Sequence, residues 1–198
     1  VDVRSRVKAV PGRGGAFGLT GKVEADVRRL DNAFLRTLGG GLPRVRSDIA
    51  LGPDGRLLFR ALQLRAPQVN VNGSGERRRD GSIAFTGTGN HSRYGPLRLS
   101  LAGRLERPRV DVLLARPMDA AGLSQVHAVL EPDTTGYRYT ANGGSTLGPF
   151  TSYGRILLPR GGQTVIAVDN LAVSGTTVHG DLLVVPGGLS GQLAATGA

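Results

Sequence analysis

The chain has 198 residues, 39% hydrophobic and only 5% aromatic, with 31 Gly and no Cys. That length suffices for one domain with a sizeable core or for two small ones, and the evenly spread apolar residues exclude a disordered chain, while the missing thiols exclude disulfides, thiol catalysis and thiolate metal sites. The formal charge of +10 comes from 25 basic residues, all Arg except Lys8 and Lys22, and reads as scattered along the strands; no apolar run approaches the roughly 18–20 residues of a membrane-crossing helix.

Val1-Asp2-Val3 already reads as strand, and neither an initiating Met nor a signal-peptide pattern precedes it. The one departure from strand periodicity follows. In 31–38, Phe34, Leu35 and Leu38 fall at helical spacing, Asp31 can cap the start and Gly39-Gly40-Gly41 stops it, so a short connecting helix is predicted. Beyond it, alternation dominates. Val69 and Val71 alternate with Asn70 and Asn72, Ile83 and Phe85 with Ala84 and Thr86, and Leu97, Leu99 and Leu101 with Arg98, Ser100 and Ala102. Val110, Val112 and Leu114 follow, with Asp111 and Leu113 on the other face; then Val126, Ala128 and Leu130, and then Tyr137, Tyr139 and Ala141. Period two puts each apolar set on one face of a strand.

Turn signals separate these segments: Gly52-Pro53-Asp54-Gly55, Asp80-Gly81, Tyr94-Gly95-Pro96, Arg107-Pro108, Pro132-Asp133, Gly148-Pro149, 159–162 and 186–188. Their spacing predicts an all-β chain of about 12–14 strands. So many strands in one sheet must curl, split or close. Glycines such as Gly73, Gly75, Gly87, Gly89, Gly103 and Gly175 are expected inside strands, where they mark bends. Leu189 to Ala198 still reads as repeat, so the whole of 1–198 is expected to be one continuous segment cut from a longer chain.

Chemistry is sparse. Gly21-Lys22 lacks the glycine that a phosphate loop needs, and no Ser has the flanking glycines of a nucleophile elbow. His91, His127 and His179 lie in different segments without metal-ligand spacing, and Asp111, Asp169 and Asp181 sit in or beside separate strands. The reading is therefore not an enzyme, with neither metal nor cofactor. Arg77-Arg78-Arg79 is the only dense basic run. It precedes Asp80-Gly81 and reads as a solvated turn tip, with an anionic headgroup or a nucleic acid as the alternatives; the shortage of aromatics argues against nucleic acid.

The second half carries an ordered set of features. Pro108-Arg109-Val110-Asp111-Val112-Leu113-Leu114-Ala115-Arg116-Pro117 is followed by Gly136-Tyr137-Arg138-Tyr139-Thr140-Ala141, Gly148-Pro149-Phe150 and Gly154-Arg155-Ile156-Leu157-Leu158-Pro159. Leu171 to Thr176, Gly180-Asp181-Leu182 and Gly188-Leu189-Ser190-Gly191 close it. This order resembles the TamB family (translocation and assembly module subunit) of the AsmA-like superfamily, over roughly residues 95–198, with a looser fit over 42–94. The resemblance implies a periplasmic protein whose parent chain is anchored in the inner membrane, and a long curved sheet forming an open, taco-like, solenoid-like groove. It also implies carriage of phospholipids between inner and outer membranes, and a TamA-like outer-membrane barrel of the Omp85 type as partner.

In such a groove the expected lipid-binding lining is Val69, Val71, Ile83, Phe85, Leu97, Leu99, Leu101, Val110, Val112, Leu114, Val126, Leu130, Ile156, Leu158, Ile166 and Val168. At about 4.8 Å per strand it would run on the order of 60 Å. Alternation alone equally allows a closed hydrophobic core. Two other functions stay open: a structural β-solenoid with a filled interior, and a chaperone-like scaffold that pairs its sheet edges with outer-membrane protein strands without conducting lipid.

Overall fold

The computed structural model describes residues 2–11, 17–29, 36, 39–117, 122–159, 162–185 and 188–197. Its strands are β1 Asp2–Pro11, β2 Phe17–Asp26, β3 Arg44–Leu51, β4 Leu57–Arg65, β5 Val69–Arg77, β6 Ile83–His91 and β7 Gly95–Arg104. They continue as β8 Arg107–Leu114, β9 Ser124–Pro132, β10 Gly136–Ser145, β11 Gly148–Leu157, β12 Val165–Val173, β13 Thr176–Val185 and β14 Gly188–Gly197. All join one antiparallel sheet whose order in space is the order in sequence. The expected long, open, all-β sheet is what the chain forms. The helix predicted over 31–38 lies outside the described residues except for Arg36, which is helical. The Gly41 N–H donates to the Arg36 carbonyl at 3.1 Å.

Short polar side chains build the hairpin turns. Asp54, Asp80 and Asp133 each accept the backbone N–H two residues on, from Arg56 (3.1 Å), Ser82 (2.9 Å) and Thr135 (2.8 Å). Gly55 and Gly81 supply the positive φ these turns need. Three predicted turns are displaced; in the first, 92–94 form the turn and Gly95-Pro96 open β7. Leu105-Glu106 and Thr146-Leu147 form the tips, whereas Arg107-Pro108 and Gly148-Pro149 open β8 and β11. Proline is tolerated near the start of a strand, so it marked the strand and not the turn. Gly175 likewise belongs to the β12–β13 tip, not to a strand interior.

The sheet does not stay flat. Register shifts interrupt the β3–β4, β4–β5, β9–β10, β11–β12 and β12–β13 pairs, and each bulge bends its strand and adds twist. Twist of about 20–25° per strand accumulates to well over 90° between β7 and β14. The result is visible at Arg93, in the β6–β7 turn. Its guanidinium lies beside Gly188 at the start of β14, where a Cβ would stand 3.9 Å from Nη2. The Arg93 side chain thus reaches from the β6–β7 turn to the start of β14. Glycines permit the tight curl. The Phe85 ring covers Gly73 and Gly87, and Tyr139 covers its cross-strand partner Gly154, so aromatic side chains fill the space that the glycines leave.

Candidate functional site: an apolar face with basic rims

Cross-strand register makes one face continuous. Val71 stands beside Leu64 and Gly89, and the row runs on through Leu97, Leu114 and Val126. The next rows run Gly87, Leu99, Val112, Ala128, Ala141 and Phe85, Leu101, Val110, Leu130, Tyr139. Beyond β10, Tyr137 meets Ile156 and then Ile166, and Gly154 meets Val168. Val69, Ile83 and the other strand residues of the expected lining fall on this same face. Leu158 lies just past the end of β11 and packs against the same core.

The face is not uniform in depth. Val71, Val110, Val126, Leu130, Ile156 and Val168 are buried, whereas Val69, Ile83, Phe85, Leu97, Leu99, Leu101, Val112, Leu114, Leu158 and Ile166 are half-buried. Val110, Leu130, Tyr137 and Ile156 form a packed cluster, with Tyr137 and Pro108 fully enclosed. The uniform lining expected from alternation is therefore a partly filled core around β8–β11, with a shallower apolar surface on β5–β8. Tyr137 and Pro108 were absent from the expected lining. Tyr137 shares the alternation of Tyr139 and Ala141, so period two marked its face, although nothing local marks its depth.

The opposite face carries the charged side chains, interspersed with apolar ones such as Leu58, Leu113, Val129, Val165 and Leu183, and its charges pair across strands. Arg44 meets Asp26 at 3.0 Å, Arg46 meets Glu24 at 2.8 Å, and Arg109 Nε donates to Glu131. That contact, first, and the Glu131 charge hold the Arg109 guanidinium protonated beyond its ordinary range. His127 Nε2 lies 2.9 Å from Asp111 Oδ1, and Arg155 lies 3.9 Å from Asp169. Asp111 stands opposite Ser100, whereas His127 stands opposite Leu113 and Asn142, so no Ser lies directly across from the imidazole. His91 is buried at the β6–β7 turn. Its Nδ1 accepts the Arg93 and Tyr94 N–H groups at 3.0 and 3.3 Å while its ring stacks on Tyr94, so it holds the turn together. Among the described residues, no three His, Asp or Glu side chains gather where they could hold a metal.

Two open depressions lie on the polar face. One of about 560 Å³ spans β4–β7 over Leu58, Arg60, Ser74, Ala84, Thr86 and Ser100; the other, about 370 Å³, spans β2–β4 over Thr20, Lys22, Asp48 and Arg60. A twisted sheet is saddle-shaped, which makes each of its faces hollow along one diagonal.

Charge is also sorted by position in a way the linear sequence concealed. The connections and strand ends from β2 to β9 carry Arg28, Arg29, Arg56, Arg65, Arg77 to Arg79, Arg93, Arg104, Arg107 and Arg116. The acids there are fewer, and Asp54 and Asp80 are engaged in their own turns. An excess of positive charge thus borders the apolar face at both rims from β2 to β9, while Lys22, Arg46, Arg60, Arg98, Arg109, Arg138 and Arg155 lie within strands. No helix among the described residues is long and apolar enough to cross a membrane. No known protein family, curated protein or solved structure matches this chain.

Proposed function

We propose that the chain is a non-enzymatic segment of a periplasmic bridge that shelters phospholipid acyl chains on its apolar face as they pass between inner and outer membranes. In this reading the parent chain is anchored in the inner membrane and engages an outer-membrane barrel of the Omp85 type. One observation carries the proposal: an apolar face runs from strand to strand across the described sheet, while the cross-strand ion pairs among the described residues lie on the other side. Moving two acyl chains of ordinary length into water costs roughly 20–25 kcal/mol at about 0.8 kcal/mol per CH₂. A few hydrogen bonds of about 1 kcal/mol each cannot offset that. An extended aliphatic surface can, and the ordered resemblance over residues 95–198 agrees with that use.

A second reading is a structural β-solenoid or assembly scaffold without lipid conduction, favoured by the buried cluster of Val110, Leu130, Tyr137 and Ile156. The variant Val112→Asp separates the two. Val112 is half-buried between Leu99 and Ala128. On a lipid-bearing surface, its carboxylate removes co-purifying phospholipid, detected by native mass spectrometry, while circular dichroism and Tm stay close to those of the parent. If the variant unfolds, or if the parent carries no lipid, the filled scaffold is the correct description.

A further inference from the structure

The apolar face carries a charge at one point. Arg77, the last residue of β5, stands opposite Leu57 on one side and Ile83 on the other. Both belong to the apolar face, and strand alternation places Arg77 there with Val71, Gly73 and Gly75. At every other described position of that face from β3 to β14 there is no Lys, Arg, Asp or Glu. Arg77 is exposed, and among the described residues no carboxylate pairs with it. The neighbouring acids are occupied. Glu76 holds Arg78 at 2.8 Å, and Asp80 accepts the Ser82 N–H and hydroxyl at 2.9 and 2.6 Å.

The guanidinium stays at the rim. A Cβ on Gly81, in the adjoining turn, would stand 3.8 Å from Arg77 Nη2. Beside it, the stem of Arg79 reaches the next turn along the same rim, with Cγ 3.7 Å from where a Cβ on Gly55 would lie. The Arg77 guanidinium and the stem of Arg79 therefore lie along the rim at which Leu57 and Ile83 flank Arg77.

A rim arginine with its stem on apolar surface and its head in water is ordinary. This one also stands where the greasy surface ends, which is where the polar end of an amphiphile must lie if its tails rest on that surface. A guanidinium offers forked donors that match a phosphate. We propose that Arg77, with Arg79 beside it, is an anchor for the phosphate of an anionic phospholipid headgroup. The proposal rests on the lipid-bearing reading above and adds to it a headgroup preference and a location.

The test mixes the full chain with vesicles of equal parts phosphatidylglycerol, phosphatidylcholine and diacylglycerol, then identifies the lipid bound to re-purified protein by mass spectrometry. The parent is expected to be enriched in phosphatidylglycerol. Arg77→Gln is expected to lower phosphatidylglycerol uptake about tenfold, as for loss of one charge-assisted hydrogen bond. Diacylglycerol uptake and Tm should stay at parental values, Arg77→Lys should restore part of the loss, and inorganic phosphate should not displace bound lipid. Undiminished phosphatidylglycerol uptake by Arg77→Gln overturns the anchor and leaves the lipid-bearing reading standing, as does displacement by inorganic phosphate. A parent that binds none of the three lipids overturns both.

Discussion

Replacing Gly154 by Ala tests how tightly the curl of the sheet depends on missing side chains. Gly154 lies at the β11–β12 register shift, opposite Val168 and beneath the Tyr139 ring. An added Cβ would stand 2.0 Å from the Ala167 carbonyl oxygen and 3.0 Å from both the Asp169 nitrogen and Tyr139 Cε1. Ordinary contact begins near 3.4 Å, so β11 and β12 must part locally by about 1.4 Å. The atoms met are mostly backbone, and no side chain can swing aside to relieve them. Overpacking costs about 1–3 kcal/mol, and each ladder hydrogen bond stretched out of range adds about 1 kcal/mol, for roughly 3–5 kcal/mol in all. For a chain of this size that lowers Tm by roughly 6–20 °C. The assay is thermal unfolding followed by circular dichroism. Gly144→Ala serves as the control, since its Cβ meets chiefly the movable Ser124 hydroxyl, at 2.7 Å. A Gly154→Ala protein that melts within about 2 °C of the parent would refute the argument that close strand approach at this glycine holds the curl.

Two further substitutions probe the packing and the turns. Tyr137→Ala empties the fully enclosed site beside Val110, Leu130 and Ile156 and should cost about 3–5 kcal/mol in denaturant unfolding; a cost under 1 kcal/mol would mean the cluster is loosely filled. Asp133→Ala removes the acceptor of the Thr135 and Gly136 N–H groups, both at 2.8 Å, and should cost about 1 kcal/mol near neutral pH. Partial burial raises the Asp133 pKa, but the N–H groups of Thr135 and Gly136, the Thr135 hydroxyl and the Arg138 charge outweigh it and leave the carboxyl below its ordinary value. A folded pKa held below the unfolded one stabilises the protein at higher pH, and that stabilisation fades as pH falls through the folded value. Comparing Tm against pH, the gap between parent and Asp133→Ala should be constant above about pH 5 and shrink below about pH 4. A gap that persists unchanged at the acid end would assign the effect to geometry and not to ionisation.

Much of the candidate site was legible in short runs. Val110, Val112 and Leu114 share a face because strand side chains alternate, and that rule needs no knowledge of neighbouring strands. The run Val69, Val71, Gly73, Gly75, Arg77 obeys the same rule, so the place of Arg77 on the apolar face was available too. It was hidden by reading Arg77-Arg78-Arg79 as one turn tip, although Arg77 is still strand and the turn begins after it. Arg107-Pro108 misled in the reverse direction, because a strand-opening proline carries the same local sign as a turn.

Depth was not legible. Val110 and Val112 are two residues apart on one strand, yet one is buried and the other half-buried. By itself the sequence determined the all-β class, a range of strand number that includes the 14 found, and the alternation along each strand, since these follow from period two and from residues that favour turns. Only the tertiary structure decided which part of the apolar face is filled, and which basic side chains lie along its rims. Bulges and twist accumulate over many strands and bring the Arg93 side chain within reach of the start of β14, a sum that no window of ten residues contains.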